Sequence, residues 1–212
     1  MHMYQGRAVL AYLAEYCKRD GDFDWGIAAH PYPENLTKPD FYNDVTATYD
    51  WNTPRITMKN IEMLQALVEM EQFQYRGMPR RIVCDEQGFH TDYNDPESEN
   101  KGAYAFVLCM EKLAKCKNIG CFLITRYADM PQGDEGGLHL GLRYEQGYAD
   151  DMHLLINPGA YKKICHAMRA LGTHEWQKWV DEAREYIGAE LYDSLLAPAL
   201  PDTFVNLEDW KL

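Results

Sequence analysis

Apolar positions at three- and four-residue spacing alternate along the chain with short apolar runs bounded by polar turns, and that alternation sets out the elements. Over residues 7–20, Val9, Leu10, Leu13, Tyr16 and Cys17 fall at helical spacing, and Asp20-Gly21-Asp22 ends the pattern. A short strand is predicted in DWGIAAH, followed by a loop through Pro54 whose Pro, Asn and Asp residues would break a helix repeatedly. Ile61, Leu64, Leu67 and Val68 mark a second helix, with Thr57 as a candidate N-cap and Arg76-Gly77 as its stop. RRIVCD is the second strand, and EQGFHTDYNDPESENKG leads from it into a helix carrying Ala103, Phe106, Val107, Met110, Leu113 and Ala114. IGCFLIT is the third strand. A Gly- and Asp-rich loop containing the alternating LHLGLRY then precedes a helix opened by Asn157-Pro158, with Tyr161, Ile164, Cys165, Met168 and Leu171 on one face. A final helical stretch from about Thr173 to Leu196 carries Trp176, Val180, Ala183 and Ile187, and no internal repeat or linker interrupts the chain.

Strands that alternate with helices predict an α/β fold with a parallel sheet, whose strand C-termini share one edge. Residues 1–172 form the βα body in this reading, and 173–212 a C-terminal helix and tail packed on it. Three strands make a thin sheet. A closed barrel needs eight and typically about 250 residues, so the chain reads as a small layered domain or as part of a larger barrel.

Composition narrows the partners. The 212 residues are 46% apolar and 13% aromatic, enough for a packed core, and 21 basic against 33 acidic side chains give a net charge of -12 that opposes binding to a phosphate backbone. No nucleic-acid partner is expected. Fifteen Tyr and five Trp suit a neutral polar ligand such as a sugar, although an aromatic core uses the same residues. The opening MHMYQGRAVLAYLAEY lacks the basic-then-apolar pattern of a secretory signal, and no segment reaches the roughly 18 apolar residues of a membrane span. The chain as written is expected to be soluble and not membrane-bound, with localisation left open because a leader could belong to a preceding part. Six cysteines without a C-x-x-C pair read as reduced core thiols.

The polar groups with chemical potential cluster after each strand: His30-Pro31-Tyr32 after the first, Glu86-Gln87-Gly88-Phe89-His90 after the second, Arg126 and Asp129 after the third. Parallel α/β folds build sites at that edge. In a regular strand Ile82, Cys84 and Glu86 share one face and Val83 and Asp85 the other, so a site-facing Glu86 makes Asp85 structural. Gly26, Ala28 and His30 share a face of small residues that opens onto the imidazole, while Ile27 faces the helices. Each residue has a plainer reading: Glu86 as a loop acid, His30 as a hydrogen-bonded strand end before proline, Arg126 and Asp129 as an ion pair, His90 and His139 as exposed loop residues. Trp25, Tyr42, Tyr49 and Trp51 would stack on sugar rings or simply pack the long loop onto the body. A metal set from His30, Glu86, His90 and Asp129 lacks any spacing motif, no G-x-S-x-G supports a nucleophilic serine, and GDEGG lacks the lysine of a phosphate loop.

The segments WGIAAHPYPENLTKPDFYND, TPRITMKNIEML, RRIVCDEQGFHT and CFLITRYADM with GGLHLGLRY occur in an order that resembles a bacterial family of uncharacterised TIM-barrel proteins similar to retaining glycoside hydrolases. The resemblance runs from about Gly6 to about Leu171. It implies that the chain is the C-terminal part of a (β/α)8 barrel, roughly its last three strands. It places the catalytic nucleophile at Glu86, substrate contacts at His30 and Tyr32, and sugar-hydroxyl contacts at Arg126 and Asp129. No cofactor and no metal is implied. The acid/base carboxylate of such enzymes has no counterpart in this chain, so the resemblance implies self-association, a missing N-terminal half-barrel, or a non-catalytic carbohydrate-binding or assembly module. A metal-dependent hydrolase using His30, Glu86 and Asp129 is a third reading.

Overall fold

The computed structural model describes residues 6–130, 136–145, 159–202 and 205–211. Three parallel strands, β1 (Ile27–Ala28), β2 (Ile82–Gln87) and β3 (Ile119–Ile124), lie in chain order and form an open sheet that does not close into a barrel. The helices are α1 (Gly6–Asp20), α2 (Glu62–Glu69), α3 (Ser98–Leu113), α4 (Lys163–Ala170), α5 (Trp176–Ile187) and α6 (Ala189–Leu196). The α/β class and the parallel sheet are therefore as the hydrophobic pattern predicts.

Among the described residues the sheet has one covered face and one that carries exposed side chains. Ile82 and Cys84 are fully buried against the helices, whereas Val83 is 36% and Leu123 51% exposed. Ile27 packs against the core and Ala28 is exposed, as the pattern along the first strand requires. The core is centred on α3, which is buried almost all round from Gly102 to Cys109, as a helix apolar on every side must be. Phe106 meets Phe89 and Trp176 edge-on at 6.2 and 6.4 Å. Residues beyond 172 share this core through Ala183, Tyr192 and Leu195.

Several details depart from the predicted pattern. Helix α1 buries Ala8, Ala11, Ala14 and Cys17 and leaves Val9 and Tyr16 about half exposed, because the alanine stripe lets the helix sit close to the body. The stretch from Thr173 to Leu196 is two helices, broken at Gly188 where φ is +97°. The helix expected from Asn157-Pro158 begins at Lys163, and those two residues lie outside the described segments. Thr57 caps a single 3-10 turn (Met58–Asn60) in a capping box with Asn60, and α2 follows directly.

Two buried cations fix the body. Lys112 on α3, fully buried, donates to both oxygens of Glu62 on α2 at 2.7 and 2.9 Å and to the carbonyl of Leu195 on α6 at 2.8 Å. Arg80, just before β2, holds Asp22 in a bidentate pair at 2.7 Å, donates to the Phe73 carbonyl, and lies 3.8 Å over the Trp25 ring. This second clamp ties together the segments entering β1 and β2, so the N-terminal edge of the sheet is closed by structural contacts. The opposite edge is where polar side chains remain accessible.

Candidate functional site

At the C-terminal edge, β2 departs from regular pleating. Cys84 pairs with Phe122 and Gln87 with Ile124, with an irregularity between them that places Asp85 and Glu86 in a bulge. The alternation therefore fails: Glu86 does not share the buried face of Ile82 and Cys84, and both acids reach one imidazole. His30 Nε2 lies 3.2 Å from Asp85 Oδ1, and His30 Nδ1 lies 3.8 Å from Glu86 Oε2. The expectation that Asp85 is only structural when Glu86 faces the site is overturned by this bulge. Tyr32 completes the group by donating from its hydroxyl to Glu86 Oε1 at 2.9 Å.

The loop that delivers His30 and Tyr32 is held at several points. Met58 N donates to the Pro31 carbonyl at 3.0 Å. Glu34 accepts from the Val45 and Thr46 amides and the Thr46 hydroxyl, and these donors hold its carboxyl at about 2. Of the aromatic stripe, Trp25 and Tyr42 are buried and the Tyr49 hydroxyl donates to the Lys59 carbonyl, so these three pack the loop onto the body. Trp51 instead lines a cavity of about 610 Å³ at the free edge of β1, together with Leu10, Ile27, Arg55 and Trp210, and His30 stands on its rim.

Past β3 the chain makes a second cluster. Gly88 permits close approach here, since a Cβ on it would lie 2.9 Å from the Thr125 carbonyl oxygen. Gly141 is more demanding, with a Cβ falling 2.3 Å from the Asp129 nitrogen. Arg126, half-buried, exchanges backbone hydrogen bonds with the 140–142 segment at 3.3 and 3.0 Å. Asp129 is fully buried and accepts from the Tyr93 hydroxyl at 2.6 Å and the Gly141 amide at 2.7 Å, while Lys162, itself 1% exposed, pairs with it at 2.6 Å. The ion pair expected at this loop base thus uses Lys162 for its cation, and a ligand hydroxyl could reach Asp129 only by displacing one of these donors.

His90 and His139 are not the exposed loop residues the sequence suggests. His90 is buried, its Nδ1 accepts from the His139 amide at 2.9 Å, and the His139 ring stacks on Tyr93 with centroids 4.2 Å apart. Burial, with His139 alongside, pushes the His90 imidazole below its ordinary value. Loss of solvent and the bond to Asp129 together raise the Tyr93 phenol far above the usual tyrosine range.

The structure thus brings His30, Tyr32 and Glu86 together, adds Asp85, and leaves Asp129 in a separate cluster. The set His30, Glu86 and Asp129 does not converge, and no group of three His, Cys, Asp or Glu side chains forms a metal-binding arrangement among the described residues. All six cysteines are free thiols, five of them buried. Among the described residues no helix is long and apolar enough to cross a membrane. The sequence reading gives Asp85 only a structural part, and it does not name Tyr93 or Lys162 as partners of Asp129. Nothing in RRIVCDEQG announces a bulge, and nothing local marks Lys162 as the partner of an acid 33 positions earlier.

No curated protein and no solved structure matches this chain. A family model covers residues 1–195, and on that match the chain belongs to the family of unknown function DUF5722.

Proposed function

We propose that this chain is a carbohydrate-active module in which Glu86 serves as the nucleophile of a retaining glycoside hydrolase site. The carrying observation is the grip on Glu86: a phenol holds one carboxylate oxygen at 2.9 Å, while the other faces the accessible strand edge beside an imidazole. This arrangement suits a nucleophilic carboxylate, which can hold one oxygen in place and present the other to the anomeric carbon. The adjoining cavity, with Trp51 and Arg55 on its wall, has the size of an ordinary small-ligand site and an aromatic surface on which a sugar ring can lie. Arg126, at the end of the neighbouring strand, supplies a donor for sugar hydroxyls, and Asp129 supports the loop that carries it.

The open sheet face supports reading the chain as the last part of a (β/α)8 barrel. Ala28, Val83 and Leu123 occupy the face that such a barrel would turn inward, and that face is completed by self-association or by a preceding half-barrel. The second reading, a non-catalytic carbohydrate-binding or assembly module, is favoured by the partners the Glu86 carboxylate has, a phenol and an imidazole.

A panel of dinitrophenyl fluorosugars tests the assignment. The native chain acquires one glycosyl adduct, found by peptide mass spectrometry on Glu86, and Glu86→Gln stays unlabelled with an unchanged circular dichroism spectrum. An adduct that persists in Glu86→Gln refutes the role, and sugar binding by the native chain without any adduct favours the binding module.

A further inference from the structure

We propose that His30, backed by Asp85, is the proton-transfer group that completes the Glu86 site. The inference rests on the reading of Glu86 as nucleophile and supplies what a single carboxylate lacks, a group that protonates the leaving oxygen and later deprotonates water. Three observations on the bulge carry it.

First, Asp85 and Glu86 flank the same ring from different nitrogens, with Asp85 Oδ1 3.2 Å from Nε2 and Glu86 Oε2 3.8 Å from Nδ1. Asp85 faces Nε2 across 3.2 Å, where its charge can steady the imidazole, and the ring meets Glu86 through its other nitrogen. Second, Nδ1 is too far from Glu86 for a hydrogen bond, so the ring does not engage the attacking oxygen. A retaining pair stands about 5 to 5.5 Å apart, so the half-exposed imidazole must swing away from Glu86 when a sugar enters. Third, the remaining proton carrier in the group, the Tyr32 hydroxyl, already donates to Glu86 Oε1. Side-chain exposures of 51% for His30, 39% for Asp85 and 45% for Glu86 leave room for a ligand to reach all three.

The steps balance. Glu86 bonds to the anomeric carbon as the bond from that carbon to the leaving oxygen breaks, and the Nδ1 proton of the imidazolium passes to that oxygen, so the alcohol departs neutral. The neutral imidazole then takes a proton from water as the water oxygen bonds to the anomeric carbon and the ester to Glu86 breaks. Carboxylate and imidazolium are restored. Nε2 keeps its proton beside Asp85 throughout, which makes His30 a catalytic residue and Asp85 a positioning residue.

The test uses the full chain and the aryl glycosides of whichever sugar labels Glu86. A phenyl leaving group needs a proton and a dinitrophenyl group does not. His30→Ala is expected to slow cleavage of the phenyl glycoside by about 100-fold or more, the range of general acid catalysis, while glycosylation from the dinitrophenyl glycoside changes by less than about tenfold. Sodium azide should accelerate the variant on the dinitrophenyl substrate and yield a glycosyl azide of retained configuration. Asp85→Asn should reproduce the leaving-group dependence in milder form, and His30→Gln controls for loss of the ring's bulk. Equal losses on both substrates, or no azide product, overturn the dyad while the Glu86 adduct leaves the nucleophile assignment standing. No adduct on the native chain removes both.

Discussion

Replacing Asp129 by asparagine separates a structural role from a ligand-binding one. The carboxylate is fully buried and its cation, Lys162, is 1% exposed, so the pair is shielded from water and salt on both sides. Asparagine keeps the shape but has a single acceptor oxygen, so it can accept from Gly141 or from Tyr93, which donate to different oxygens of Asp129, and it withdraws the charge that Lys162 faces at 2.6 Å. Breaking a buried pair by removing one partner costs about 3–5 kcal/mol, because the remaining ion stays desolvated. In a chain of this length each kcal/mol lowers the melting temperature by about 2–4 °C, so Asp129→Asn should melt roughly 6–20 °C below the native chain. Urea unfolding followed by circular dichroism at pH 7 measures the free-energy change directly. Lys162→Met should cost a similar amount, and the double variant should cost clearly less than the sum, since neither charge is then stranded. An Asp129→Asn variant within about 1 kcal/mol of the native chain, or a double variant that shows the full sum, would mean that the two charges do not stabilise the fold as a pair. A loss of sugar affinity at unchanged stability would restore Asp129 as a ligand contact.

Two further outcomes follow from the open face and from the buried histidine. With Val83 and Leu123 exposed on the uncovered sheet face, sedimentation velocity should show concentration-dependent self-association that Leu123→Lys weakens, and a monomer that binds no apolar dye counts against this. His90 titrates below its ordinary value of 6.5 in the fold, so the unfolded chain binds more protons there; its contribution to stability is present above about 6.5 and is lost as the pH falls through the window below it. Protonation also removes the Nδ1 acceptor for the His139 amide. Denaturant unfolding at pH 7.5 and 5 should therefore show a larger acid loss in the native chain than in His90→Gln, and identical losses would show that another group governs the change.

The helical and strand periods were legible because they follow from burial alone. Ile82 and Cys84 had to be covered, α3 is apolar all round and had to be central, and strands separated by helices had to run parallel. The placement of His30, Tyr32 and Glu86 at one sheet edge was legible for the same reason, since strand ends in parallel sheets share that edge. Side-chain direction at the end of β2 was not legible: a period of two holds only while the ladder is regular, and a single bulge turned both Asp85 and Glu86 to His30. The face of α1 was misread because large apolar residues weigh more in a pattern than alanines, although alanines permit the closer approach. By itself the sequence determined the α/β class, the order of its elements and the edge on which polar chemistry gathers, all of which depend on which residues must leave water. Which acid meets which base was settled by the packing of the folded chain. Pairs such as Asp129 with Lys162 and His30 with Asp85 join residues distant in the chain, and their distances are set by how helices and loops pack rather than by any local spacing.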